Sequence, residues 1–302
     1  MKVLITGGAG FIGSNLASYL KQEGYDVIVF DNFERSIKNA KSVLKGIAIE
    51  KLDLRRDLKK IIKHARKSVI VHAAAYINAK ESIKKPLEYL ENNVASTVNL
   101  LKATSKIAEK IIYLSSAAVY GEPKHLPINE RHDLNPINPY GASKLSAEYW
   151  IKAYSNLYGV NHVILRLFNV YGEKQKREYA GVISKFIEKA RKRKPLIIYG
   201  NGLQTRDFVY IEDVAKAVKL AIKTKNSNDI YNIGFGKSTT INQLAEIIME
   251  AFSFYKKPIY MPERKGDIKH SQADVSKAMK LLGYKPEVPL KEGIKRVIHK
   301  NL

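Results

Sequence analysis

Tyr140 and Lys144 stand four residues apart at the start of a helical pattern, so a phenol and an ammonium share one face. A free tyrosine titrates near about 10 and is a poor base at neutral pH. A neighbouring ammonium favours its phenolate, and a second positive charge would favour it further. The pair suits a proton transfer coupled to the departure of a hydride. Upstream, Ser115 and Ser116 end a short apolar strand over 111–114. At the carboxyl edge of a parallel sheet they face the crevice where ligands bind, and a hydroxyl there can hold a substrate oxygen and pass its proton.

A hydride needs an acceptor, and the N-terminal segment offers a seat for one. Residues 6–13 read Thr-Gly-Gly-Ala-Gly-Phe-Ile-Gly, with Gly7, Gly10 and Gly13 three residues apart. The apolar run 2–5 precedes them as a buried strand, and Ile12, Leu16, Ala17 and Leu20 follow on one helical face. Gly7 makes the strand-to-helix turn, Gly10 lets the backbone approach a pyrophosphate, and Gly13 lets helix and strand pack closely. Free amides at the helix start favour the diphosphate. The next strand, 26–30, ends in Asp31, about 20 residues past the glycines. A carboxylate there binds ribose hydroxyls and repels a 2′-phosphate, which predicts NAD rather than NADP. Arg35 is the one nearby feature that opposes this.

The elements that must position these groups alternate along the chain. Strands are predicted over 46–51, 68–71, 111–114 and 163–167, with helices over 58–65, 86–105 and 140–158. Repeated strand–helix units of this size imply an α/β fold, a doubly wound parallel sheet of the Rossmann type with helices on both faces. After about residue 170 the units shorten: a helix over 181–194, strands over 196–199 and 208–209, and a helix over 213–224. The chain therefore divides into a dinucleotide-binding domain, 1–170, and a smaller interwoven α/β lobe, 171–302, parts of which return to the first.

The 302 residues include 52 Lys and Arg against 29 Asp and Glu, a formal charge of +23. Such a charge attracts anions: nucleotide sugars, nucleic acid or acidic membranes. The basic residues are scattered, as at Lys59-Lys60, Lys84-Lys85 and Arg191-Lys-Arg-Lys194, and no basic run is interleaved with aromatics. They read as solvated helix faces, with no specific nucleic-acid partner and no membrane. No apolar stretch reaches transmembrane length, and no signal-peptide pattern opens the sequence. Cysteine is absent, which excludes disulfides and thiolate chemistry, and no metal site is expected. A cytoplasmic metabolic enzyme is the expectation.

At this point the sequence resembles the extended short-chain dehydrogenase/reductases, and among them the UDP-glucose (UDP-galactose) 4-epimerases. The resemblance runs through Thr6–Gly13, Asp31-Asn32, Asp53-Leu54, Pro86-Leu-Glu-Tyr89, Asn92-Asn93-Val94 and Ser115–Gly121. It continues through Pro139–Lys144, Leu165-Arg-Leu-Phe-Asn-Val-Tyr-Gly172, Arg206-Asp-Phe-Val-Tyr210 and Arg264-Lys-Gly-Asp267. It implies that Ser116, Tyr140 and Lys144 are catalytic. It places Phe11, Ile12, Asn32, Asp53, Leu54, Ala73, Ala74, Ala75, Asn93 and Phe168 against NAD. It assigns Asn169, Val182, Arg206, Arg264 and Asp267 to the UDP-sugar, the arginines as diphosphate partners, and gives Ser271 the C2 side of the sugar.

The implied reaction inverts C4 of a UDP-sugar through a 4-keto intermediate, with NAD tightly bound and the 171–302 lobe holding the nucleotide sugar. Related dehydratases carry acids directly after the catalytic hydroxyl; Ala117 and Ala118 occupy those positions here. Ile77 stands where the bacterial epimerase has a lysine. A homodimer through the 86–105 and 140–158 helices is implied. The alternatives are an epimerase of UDP-N-acetylhexosamine or UDP-uronate, a net reductase or decarboxylase, and a non-catalytic nucleic-acid-binding relative.

Overall fold

The computed structural model describes residues 1–56, 58–175, 181–263 and 268–300. Its centre is a parallel sheet assembled from β1 (Lys2–Thr6), β2 (Asp26–Asp31), β3 (Ala48–Lys51), β4 (Val69–His72), β5 (Lys110–Ser116) and β6 (Asn161–Leu167). The chain then leaves it for β7 (Asn169–Tyr171), β8 (Ile197–Tyr199) and β9 (Thr205–Tyr210), and returns with β10 (Asp229–Ile233). The resulting seven-stranded order is β10-β6-β5-β4-β1-β2-β3, with every pair parallel. Strand order reverses between β1 and β4, the point at which doubly wound sheets open a ligand crevice beyond their carboxyl ends.

Alternation along β1 sorts the two faces. Val3 and Ile5 pack in one core with Leu16, Ala17 and Leu20 of α1 (Phe11–Gln22), whereas Leu4 points into the other with Leu100. Below β1 on that second face lie Ile61 and Ala65 of α3 (Lys59–Ala65), which follows the short α2 (Ala40–Val43). Both faces of the sheet are thus covered, as a parallel sheet requires.

The predicted 86–105 helix is present but not uniform. After α4 (Ala79–Lys84), α5 (Pro86–Tyr89) passes into a π-helical turn, Leu90–Ala95, and then into α6 (Ser96–Thr104). The wider turn frees carbonyls, and side chains take them up: Ser96 Oγ donates to Asn92 O, and Thr97 Oγ1 to Asn93 O at 2.6 Å. α7 (Pro139–Tyr158) starts on a capped end, with Asn138 Oδ1 accepting from Gly141 N at 2.9 Å and Pro139 in the first turn.

The second half supplies smaller pieces. α8 (Val182–Arg191) leads to β8; α9 (Ile211–Lys223) lies against the large sheet, where Val214, Val218 and Ala221 join the core with Val3 and Ile5. β11 (Ser238–Thr240) completes a sheet of order β11-β9-β7, and α10 (Ile241–Ala251) follows it. β12 (Ile259–Met261) pairs with β8, and α11 (Ser276–Leu282) and α12 (Leu290–Lys300) close the chain. β9 is longer than the predicted 208–209 because β7 and β11 hydrogen-bond it on both sides. Among the described residues no helix is long and apolar enough to cross a membrane, and no cluster of three or more His, Asp or Glu is arranged for a metal.

Candidate active site

A cleft runs along the carboxyl ends of the large sheet. Its outer part, ≈ 1120 Å³, is bounded by the glycine turn and the loops after β2, β3 and β4; its inner part, ≈ 1480 Å³, reaches β5, β7, β8 and β9. Phe11, Ile12, Ala73, Ala75, Ile77 and Gln175 border both parts, so the cleft is continuous.

The outer part is built for a dinucleotide. Gly7 has φ +68°, and a Cβ there would lie 2.6 Å from the Ala74 backbone; a Cβ on Gly13 would lie 2.3 Å from Gly7 O. Turn, helix and the end of β4 are thus packed backbone to backbone. Gly10 caps α1 without a side-chain hydrogen bond, which leaves first-turn amides for an anion. Asp31 is buried, its carboxylate accepting from Ala9 N at 2.9 Å and Phe33 N at 2.7 Å. Burial pushes its pKa up, against those two amides. Asn32, Asp53 and Leu54 also border this part. Asp53 is held below the usual carboxylate range, chiefly by its hydrogen bonds with the Arg55 guanidinium. Amides for a pyrophosphate, a carboxylate for ribose hydroxyls and apolar walls from Ile37, Leu52 and Leu54 form a donor set that fits NAD.

The inner part contains Ser116, Tyr140 and Lys144. Ser116 ends β5 and begins a 3₁₀ turn, Ala117–Val119, with its Oγ accepting from Ala118 N at 3.1 Å. The same hydroxyl is near enough to the Tyr140 phenol to favour its ionised form. Tyr140 opens α7, and its amide donates to Ser82 Oγ of α4 at 3.1 Å. Lys144, one turn on, is only 3% exposed, and its Nζ sits 4.2 Å from the centre of the Tyr113 ring. Burial pulls the Lys144 pKa down to about 7, partly opposed by the Glu148 carboxylate.

One electrostatic expectation is corrected here. Tyr140 is not biased toward phenolate in the protein alone: burial raises its pKa, with only the Ser116 hydroxyl opposing. Desolvation by burial is the leading cause of the shift in both Tyr140 and Lys144.

Most residues singled out from sequence meet in this cleft. Gly7, Gly10, Phe11, Ile12, Gly13, Ala73, Ala74 and Ala75 border the outer part; Phe168, Asn169, Val182 and Arg206 border the inner one with Ser116, Tyr140 and Lys144. Three do not behave as expected. Ser115 does not offer its hydroxyl to the crevice: it donates to Glu148 Oε1 at 2.5 Å. Asn93 is buried behind the wall, its amide accepting from Tyr76 N at 2.8 Å and donating to Tyr76 O and Ser143 Oγ at 2.9 Å each, while Asn92 borders the cleft instead. Ser271 is buried and absent from the cavity wall, its amide 3.4 Å from Thr205 Oγ1. Arg264 and Asp267 lie outside the described residues.

The sequence reading missed Gln175 and Tyr76 on the wall, the Glu34–Arg55 pair, and Glu81 as the partner of Arg35. These come from separate loops, and no spacing rule links them.

A glycine turn at the switch point of a doubly wound sheet, with Ser116, Tyr140 and Lys144 at its edge, defines an extended short-chain dehydrogenase/reductase. The chain belongs to the NAD dependent epimerase/dehydratase family, whose profile matches residues 3–234, and NAD is its cofactor. A protein of Methanocaldococcus jannaschii, named provisionally as a UDP-glucose 4-epimerase, is 45% identical over 301 residues, covering 98% of this chain and 97% of that one. The crystal structure of UDP-glucose 4-epimerase from Thermotoga maritima with UDP-glucose superposes with a TM-score of 0.95 at 34% identity, covering 99% of this chain and 98% of the other. UDP-N-acetylglucosamine 4-epimerase from Methanobrevibacter ruminantium, in complex with UDP-N-acetylmuramic acid, gives 0.92 at 34%, covering 99% and 97%.

Proposed function

We propose that the protein interconverts UDP-glucose and UDP-galactose by inverting C4. The observation that carries this reading is the lining of the inner cavity. Among the described residues it contains Ser116, Tyr140, Lys144 and Arg206 but no carboxylate. Elimination of water from a keto sugar needs an acid beside the catalytic hydroxyl. Ala117 and Ala118 cannot supply it. The same lack of carboxylates suits an anionic diphosphate, for which the guanidinium of Arg206 is a partner.

Bound at the glycine turn and Asp31, NAD would supply a reversible hydride acceptor, and its positive ring would favour the Tyr140 phenolate. Tyr140 Oη takes the 4-hydroxyl proton, Ser116 holds the same oxygen, and Lys144 stabilises the deprotonated phenol. The sugar then turns about its diphosphate link and offers the opposite face of C4, and Tyr140 returns the proton to the C4 oxygen. We assign the cofactor to residues 1–170 and the nucleotide sugar mainly to 171–302. A second copy is the proposed partner: α7 exposes Tyr149 and Trp150 beside Leu145, and Leu87 and Leu90 are exposed on the preceding helix. Sedimentation velocity checks that assignment.

The test incubates the holoenzyme with UDP-glucose and UDP-galactose, following C4 configuration and absorbance of reduced cofactor together. Inversion without lasting reduction supports the reading. Net accumulation of reduced cofactor, or a dehydrated sugar, overturns it.

A further inference from the structure

We propose that Arg35 and Glu81 form an ionic strap across the adenosine end of the cleft, and that this strap sets how slowly NAD leaves. Arg35 lies on the loop after β2, four residues beyond Asp31; Glu81 lies in the first turn of α4, beyond β4. Two parallel bonds join them, Nη1 to Oε2 at 2.6 Å and Nη2 to Oε1 at 2.9 Å. The guanidinium also lies 3.5 Å above the Tyr76 ring centre. Arg35 and Tyr76 both border the outer cavity, so the joined loops close over the space that a dinucleotide would fill.

The strap continues on both sides. The Tyr76 hydroxyl donates to Glu34 Oε2 at 2.5 Å, and Arg55 donates to Glu34 Oε1 at 2.5 Å and to Asp53 Oδ2 at 2.6 Å. The loops after β2, β3 and β4 are thereby tied to one another over the cleft. Glu81 is the fixed post. Asn78 caps its helix through the Lys80 and Glu81 amides, the buried Tyr89 hydroxyl donates to Glu81 Oε2 at 3.1 Å, and the neighbouring Ser82 holds the Tyr140 amide.

This arrangement reassigns Arg35. Its forked face is turned to a carboxylate and its flat face to a ring, so receiving a 2′-phosphate would require giving up the bond to Glu81. A two-pronged, partly buried pair of this kind is stronger than an open surface ion pair, and the side chains are only 20% and 24% exposed. Adenosine cannot leave past it until the two loops part. A catalyst that regenerates its cofactor at each turn gains from that delay.

The test measures release of labelled NAD from the holoenzyme during a chase with excess unlabelled NAD. Arg35→Met, which keeps cover on Tyr76, and Glu81→Gln are each expected to speed release about tenfold. The double variant should be no faster than either single one, because either change breaks the same pair. High salt should speed release from the wild type and leave both variants unaffected. Wild-type release rates in the single variants, additive effects in the double, or loss of NADP binding on Arg35→Met would each overturn the strap. Should Arg35→Met fail to fold, Arg35→Lys keeps the charge without the fork and must also release faster. Release is read from the cofactor alone, so its outcome is separate from whether a UDP-sugar turns over.

Discussion

Replacing Lys144 by methionine is expected to stabilise the cofactor-free protein while abolishing its chemistry, and the gain should fade as pH rises. Burial lowers the Lys144 pKa from an ordinary 10.5 to about 7, so at neutral and acid pH the fold carries an ammonium in a dry site. That gap corresponds to roughly 5 kcal/mol at pH values below 7. Between about pH 7 and 10.5 the unfolded chain binds this proton and the folded one does not, so wild-type stability rises with pH in that window by about 1.4 kcal/mol per unit. Methionine has no such proton, and other titrating groups cancel in the comparison. The advantage of Lys144→Met over wild type should therefore shrink by about 2 kcal/mol between about pH 7.5 and 9. Urea unfolding of both cofactor-free proteins across that range reads it directly. A gap that stays constant with pH would show that Lys144 keeps an ordinary pKa and would remove the desolvation argument.

Tyr140→Phe should abolish epimerisation, by about 10²–10⁴-fold, while NAD and UDP-sugar binding persist in titrations; more than half of wild-type turnover would exclude Tyr140 as the base. Asp31→Ser should narrow the preference for NAD over NADP in binding assays, since a carboxylate facing a 2′-phosphate is removed. The same change should lower the melting temperature, because the Ala9 and Phe33 amides lose their acceptor; unaltered cofactor preference would reject Asp31 as the discriminator. Wild-type protein should epimerise UDP-galactose and UDP-N-acetylgalactosamine alike, and Ser271→Tyr, which overpacks a buried position behind the cavity wall, should lower both activities together. Loss of the acetylated activity alone would refute the placement of Ser271 behind the wall near Thr205 and put it on the C2 side of the sugar.

The cofactor half of the site was legible because its determinants are local. Gly7, Gly10 and Gly13 serve one turn, Asp31 ends one strand, and Tyr140 and Lys144 share one helical face; each follows from spacing along a few residues. The sugar half was less legible because one of its walls, β7, is a strand of three residues, too short for any periodicity to mark, although β8 was expected over 196–199. Nor did any local pattern single out β10 as the segment that pairs with β6, a choice made by long-range packing. Asn93 shows the limit of motif transfer. The motif placed it near the cofactor, but the π-helical turn aims its amide at the Tyr76 backbone.

Ser115 shows what such a displaced residue does instead. Ser116 and Tyr140 sit on different elements, so their approach depends on how far α7 is advanced along β5. Glu148 lies one turn beyond Lys144 on the same stripe of α7, and it accepts from Ser115 and receives Arg166 of β6 through two bonds, at 3.0 and 2.7 Å. Arg166 donates on to the Tyr120 hydroxyl at 3.0 Å, which donates to Asn232 of β10 at 2.7 Å. A buried ion pair is weak evidence for stability, since apolar replacements often match it. What an apolar pair would not supply is direction. The network admits one register of α7 against β5, β6 and β10, and a misplacement of about 1 Å at reacting groups can cost about 10²-fold in rate. The hydroxyl next to Ser116 thus fixes the helix that brings Tyr140 to Ser116.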